Sequence, residues 1–284
     1  MFNDIEPGSH KLFAQKLGFK SVASKVDVAA GEVSKVTLEL SQIVTGPTFP
    51  IEARLFGFES AGGWFQVPYA QVQPFLPEGF TAKPHVLAET NEQTAELAFY
   101  VSKYGNGTLD GAPLDAGYWS FVVISVTPSD EHSASGATVQ FVPIASHASD
   151  PQLAFLLSTW GIATNQGTLT FTRTSGADQV HNAVADLKSD SGAFTLTTAS
   201  AADESALTSG SLSVRMFGVK EKVVGSYVDL DIASVLYSIT GGARLDGATG
   251  IPVTPQAVAG EAYVQWGAQA SQVMRFEPAE VAAG

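Results

Sequence analysis

The sequence predicts a mainly β (α+β) fold: a closed antiparallel β-barrel, or a closed sandwich, with a few short helices. Three observations lead there. Short stretches alternate polar and apolar residues, as where Ala95, Leu97, Phe99 and Val101 interleave with Glu96, Ala98, Tyr100 and Ser102. Glycine- and proline-bearing turns separate these stretches, and helical periodicity is confined to a few short segments. No repeat period or low-complexity tract points to a solenoid, so closure of the sheet is the expected way to bury its edges.

Taken in order, residues 9–24 place Leu12, Phe13, Lys16, Leu17 and Lys20 at helical spacing, and a helix is expected there. A strand follows, with Val36, Leu38 and Leu40 alternating with Thr37, Glu39 and Ser41. The break at 45–50 (Thr-Gly-Pro-Thr-Phe-Pro) marks the end of an N-terminal helix-strand extension, residues 1–48, and the main body runs over 49–284. Strands are expected at 51–58 and 64–69, split by Ser60-Ala61-Gly62-Gly63, then a short helix around Val72, Phe75 and Leu76 that Pro77 and Gly79 end. Further strands are expected at 84–90 and 94–104, a polar loop at 105–117, a strand at 118–126 apolar on both faces, and another at 137–144.

The stretch after it is the most informative. Asp150 can accept from the free N–H groups of a first helical turn, and Pro151 suits the first helical position. Leu153, Leu156 and Leu157 form one apolar face, Trp160-Gly161 stops the helix, and 168–171 returns to alternation. Strands follow at 180–187, 193–198, 212–220, 262–266 and 272–277. Residues 227–240 fit a helix by spacing and a strand by β-branched content.

Composition narrows the chemistry. Hydrophobic residues make up 45% and charged residues 15%, enough for a substantial core. The formal net charge of -13 disfavours nucleic acid and anionic membranes as partners. The absence of cysteine removes disulfides, thiolate metal sites and cysteine nucleophiles. The five histidines are scattered without a His-Glu-x-x-His pattern, so no metal is expected. There is no Gly-x-Ser-x-Gly elbow, and Gly105-Asn106-Gly107 is a turn and no phosphate loop. With no signal-like start and no apolar run long enough to cross a bilayer, a cytoplasmic protein is expected.

Two motifs carry a resemblance. The helix opened by Asp150 runs into Trp160-Gly161-Ile162-Ala163, and the earlier short helix ends in Leu76-Pro77-Glu78-Gly79-Phe80. In both, and over residues 50–276, the chain resembles the acetoacetate decarboxylase-like family. That family has a short helix with a Leu-Pro-x-x-Leu-like stop, and a helix with a Trp-Gly turn before the lysine pair that provides its Schiff-base nucleophile. The resemblance implies a cone-like barrel with Arg54 at the family's arginine and Glu89 at one catalytic glutamate. The family's second glutamate falls at Ser120, in the step Tyr118-Trp119-Ser120, and its lysine positions fall at Thr164 and Asn165. Neither residue can form an imine.

The expected function is therefore an enzyme of lyase, hydratase or isomerase type. It would act on a small, largely apolar substrate with a carbonyl or hydroxyl oxygen, by acid/base chemistry without a Schiff base or cofactor. Glu89, Arg54 and Asn165 are the catalytic candidates, and Tyr118, Ser120, Trp160 and Thr164 the substrate-binding ones. One cavity bounded by Trp160, Asn165, Tyr118 and Glu89 is expected. A non-catalytic small-ligand-binding barrel is the alternative. The narrow apolar stripe of 9–24 and the strand at 36–40 lead to the expectation of a homo-oligomer.

Overall fold

The computed structural model describes residues 6–14, 22–31, 36–39, 51–85, 94–133, 139–175, 180–201, 207–237, 242–256 and 262–279. Two compact units are found, Met1–Phe49 and Pro50–Gly284. The first contains no helix among its described residues. β1 (Gly8–Ala14) pairs antiparallel with β2 (Val22–Val28), Leu12 opposite Ser24 and His10 opposite Val26. The expected helix over 9–24 is thus corrected where it is described: Leu12, Ala14, Val22, Val26 and Val28 fit a period of two as well as Phe13 and Leu17 fit the helical one, and the valines favour the strand. Residues 36–39 carry no regular structure where a strand was expected.

The second unit is mainly β. In chain order it contains β3 (Ile51–Phe56), β4 (Glu59–Pro68), α1 (Tyr69–Val72) continued by a 3-10 turn (Gln73–Phe75), β5 (Thr81–Ala82), β6 (Thr94–Tyr104), β7 (Asn106–Leu109), β8 (Ala112–Leu114) and β9 (Gly117–Thr127). Then come β10 (Val139–Ala148), α2 (Pro151–Thr159), β11 (Thr164–Asn165), β12 (Thr168–Ser175), β13 (Val180–Ser189) and β14 (Gly192–Ala201). The chain continues through β15 (Leu207–Lys220), β16 (Val223–Tyr237), β17 (Ala243–Thr249) and β18 (Ala262–Pro278).

A 12-stranded sheet runs β16-β15-β10-β9-β6-β4-β18-β3-β7-β8, with β5 on β9 and β11 on β10. β18 also pairs with β16, so the ladder that leaves β16 through β15 returns to it. The circuit is not wholly antiparallel as expected: β10 runs parallel to β15, Phe141 opposite Met216. The reason is the excursion between them, because α2 and β12–β14 carry the chain away before β15 re-enters. Ala98, Phe121, Phe141, Met216, Leu230 and Phe276 gather in one core on what we call the inner face of this circuit. Leu153, Leu156 and Leu157 of α2 join that core. Asp150 caps the helix as read from sequence, accepting from Gln152 N–H at 2.8 Å and Leu153 N–H at 3.1 Å.

On the opposite face of the large sheet lies a 4-stranded sheet, β12-β13-β14-β17. Its Ala185, Leu187, Phe194 and Leu196 share a second core with Phe99 and Val122. Close approach here explains Gly63, which lies inside β4 where a break was expected: a Cβ on it would come within 2.4 Å of the Ala243 Cβ. Residues 105–117, expected as loop, form the β7–β8 hairpin around Asp110-Gly111. Both turn residues have positive φ, 48° and 81°, as a two-residue turn of the mirror-image type requires. The ambiguous 227–240 lies within strand β16 as far as Tyr237.

Candidate functional site

β6 lies between β4 and β9, and its Glu96 points to the inner face opposite Gln66. Glu96 is 8% exposed. Its carboxylate accepts from the Ser125 hydroxyl on β9. Burial pushes the Glu96 carboxyl above its ordinary range, against smaller opposing effects of the Ser125 hydrogen bond and the Lys83 charge. Lys83 is fixed beside the pair by its backbone: its N–H donates to Ser125 O at 2.8 Å and its O accepts from Glu96 N–H at 2.9 Å. Along the same face, Trp64 stands opposite Ala98 and Tyr100 opposite Gly62. The Trp64 and Tyr100 rings meet edge-on with centroids 5.9 Å apart, and Tyr100 lies 5.5 Å from Phe141. Trp64 and Tyr100 are only half-buried, whereas Ala98, Phe121 and Phe141 on the same face are buried. Solvent therefore reaches the inner face beside a buried carboxyl.

No family model and no curated protein matches the sequence. Solved structures do. The enduracididine biosynthesis enzyme MppR with HEPES buffer bound aligns with 88% of this chain and 95% of its own, at 13% identity and a TM-score of 0.51. An acetoacetate decarboxylase-like enzyme from Sphingomonas wittichii RW1 aligns over 83% and 94%, at 12% identity and a TM-score of 0.50. An acetoacetate decarboxylase from Legionella pneumophila aligns over 89% and 93%, at 12% identity and a TM-score of 0.50. The chain has the acetoacetate decarboxylase-like fold.

Within this acetoacetate decarboxylase-like fold the sequence-predicted residues do not converge. Glu89 lies outside the described residues. Arg54 is corrected as a catalytic candidate: Ala53 and Leu55 take the inward positions of β3, so the Arg54 side chain is 53% exposed and pairs with Glu52. Trp160 packs against the inner core, its ring 6.4 Å from Phe276. Its carbonyl accepts from the Ser226 hydroxyl, and Gly161 follows in the left-handed region at φ 80°. Thr164 pairs in register with Ser146, and its hydroxyl donates to Ile162 O at 2.7 Å.

Tyr118, Ser120 and Asn165 fall on the other face of the sheet. Ser120 is opposite His147, and His147 is opposite Asn165 on β11. The Ser120 Oγ lies 3.3 Å from His147 Nδ1, and burial lowers the His147 pKa from its ordinary value. Tyr118 is buried against the second core, with its hydroxyl pKa pushed up to about 12 by burial, while Asn165 is exposed. Of the cavity expected between Trp160, Asn165, Tyr118 and Glu89, the three described residues do not share one lining: Trp160 packs in the first core, Tyr118 is buried in the second and Asn165 is exposed.

Glu96 is not among the residues singled out from sequence, where it stands only as one position of the alternating run 95–102. The signal that could have found it is that Ala98 and Tyr100, on the same side of the strand, are not solvent-seeking. Among the described residues, no group of three or more His, Cys, Asp or Glu is placed to hold a metal ion. No helix among them is long and apolar enough to cross a membrane.

Proposed function

We propose that this protein is an enzyme for a small, largely apolar substrate bearing a carbonyl or hydroxyl oxygen, working by acid/base chemistry without a Schiff base. The observation that carries the reading is Glu96, a carboxyl buried on the inner face with its pKa raised and solvent-reached rings beside it. A raised pKa brings a carboxyl nearer the neutral range, where it both accepts and returns protons efficiently. The Ser125 hydroxyl holds Glu96 in one orientation. The free carboxylate oxygen then takes a proton from the carbon next to the substrate oxygen function. Returning it to a neighbouring carbon gives isomerisation, and delivering it to a departing hydroxyl gives dehydration. Glu89 remains a second candidate for this role.

The imine route lacks its reagent at the positions that the resemblance assigns to the lysines, where Thr164 and Asn165 stand; Lys103, Lys188, Lys220 and Lys222 are exposed, and we read the half-buried Lys83 as a charge beside Glu96 and not as a nucleophile. We read the circuit of strand pairings as the closed, cone-like barrel that would exclude bulk water from the reaction. The test is solvent-deuterium exchange into the methyl groups of acetone and acetophenone, followed by NMR. Exchange above the buffer rate is expected for the wild type and its loss for Glu96→Gln, and borohydride should trap no lysine adduct. Wild-type exchange by Glu96→Gln, or a reduced adduct on any lysine, overturns the reading.

A further inference from the structure

A hollow of about 310 Å³ lies behind β4, on the face turned away from Glu96. Gln66 stands opposite Glu96, so its neighbour Phe65 turns the other way, into the second core. Phe65 forms the floor of the hollow. Leu245, Ala248 and Thr249 of β17 form one wall, and the segment 250–255, which carries no helix or strand, forms the other. The volume lies within the range of small-molecule sites and takes a ligand of about ten heavy atoms.

The segment is pinned at both ends and so does not settle into the hollow. Gly250 has φ 71° and is wedged against Ser191, where a Cβ would lie 1.8 Å from the carbonyl oxygen. At the other end the Thr254 N–H donates to Gln71 Oε1 at 2.8 Å, and Gln256 exchanges backbone bonds with Gln66 at 2.8 and 3.3 Å. Pro252 and Pro255 stiffen the span between. Walls held open before a ligand arrives lose little entropy when it binds.

The lining names the chemistry. No lining residue is charged, so an ion would lose its hydration there without a counter-charge. The polar atoms come from the backbone and from the Thr249 and Thr254 hydroxyls. Pro252 and Pro255 have no N–H and that of Thr254 is taken, so carbonyl acceptors outnumber free donors along the segment. We infer that this hollow is a binding site, separate from Glu96, for a neutral small molecule that donates N–H or O–H hydrogen bonds and lays an apolar side on Phe65.

The probe is the cyclic dipeptide of alanine, which is neutral, of matching size and equipped with amide N–H groups. In NMR titration of the full chain it should move the methyl resonances of Leu245, Ile251 and Val253, saturating in the millimolar range. Its N,N′-dimethyl derivative keeps the carbonyls and loses the donors, and should bind about tenfold more weakly, as should the linear zwitterionic dipeptide. Ala248→Phe fills the mouth from an exposed position and should abolish binding without lowering Tm. Glu96→Gln should leave the affinity unchanged, so this inference and the reading of Glu96 fail separately. Unmoved methyl resonances, equal binding of the dimethyl derivative, or binding that survives Ala248→Phe overturns the inference.

Discussion

Gln272 sits on β18 with no solvent exposure, yet its amide reaches strands that are not its neighbours. Its Oε1 accepts from Trp119 Nε1 on β9 at 3.0 Å, and its Nε2 donates to Ser102 Oγ on β6 at 3.3 Å. Gln272→Leu keeps the volume and removes both bonds. Ser102 retains the Ser60 hydroxyl, so little is lost there. The Trp119 N–H is left in a dry core without an acceptor, which costs about 1–3 kcal/mol. With a loss of about 2 kcal/mol and a urea m value of about 2–3 kcal/mol/M, the unfolding midpoint should fall by about 0.7–1 M. Trp119→Phe removes the orphaned donor, so the double variant should recover about 1 kcal/mol relative to the sum of the single losses. A midpoint within about 0.2 M of wild type for Gln272→Leu, or full additivity in the cycle, would refute the bracing role.

Three further outcomes follow from the same geometry. Asp150→Ala removes the acceptor of two first-turn N–H groups and should lower stability by about 1 kcal/mol, read as a fall in Tm. Burial raises the Glu96 pKa, so above its ordinary value of 4.5 the folded chain holds a proton that the unfolded chain has released, and stability drains away as pH rises through the raised value. Glu96→Gln should therefore melt above wild type at pH 7, with the gap closing toward pH 4, and a variant less stable than wild type at pH 7 contradicts this. Gly218→Ala would drive a Cβ to 1.8 Å from the Trp160 carbonyl and 2.1 Å from Ser226 Oγ, and should cost about 1–3 kcal/mol with a changed tryptophan emission; an unchanged spectrum and Tm would count against the tight seam.

How far the sequence could be read depended on whether the deciding forces were local. Helix α2 was legible because its cap, its Pro151 and its leucine face are all written within ten positions of one another. The N-terminal hairpin was not, because Leu12 falls in a period of two with Ala14 while Phe13 falls in a helical one with Leu17, and only the pairing of β1 with β2 chooses. Residues 60–63 looked like a break, and the reason for Gly63, the approach of Ala243 from another sheet, is invisible along the chain. The Asp110-Gly111 turn was a local signal that the polar look of 105–117 concealed. Glu96 was hidden for a different reason: a strand covered on both faces gives a charged residue no address that alternation can show.

β18 finishes the sheet by pairing with β4, β3 and β16, and so joins the end of the described chain to segments that begin at residue 51. On a ribosome delivering about 5–20 residues per second, β3 and β4 wait many seconds for that strand. Through that interval the edges of β3 and β4 that β18 will cover have open hydrogen-bonding groups, the condition under which chains pair with each other. Closing so long a loop is also slow, since its entropy is lost before any contact across it is gained. Yield in the cell should thus respond to changes in β18 more steeply than the stability of the finished molecule does, and this strand is where chaperone dependence should be sought first.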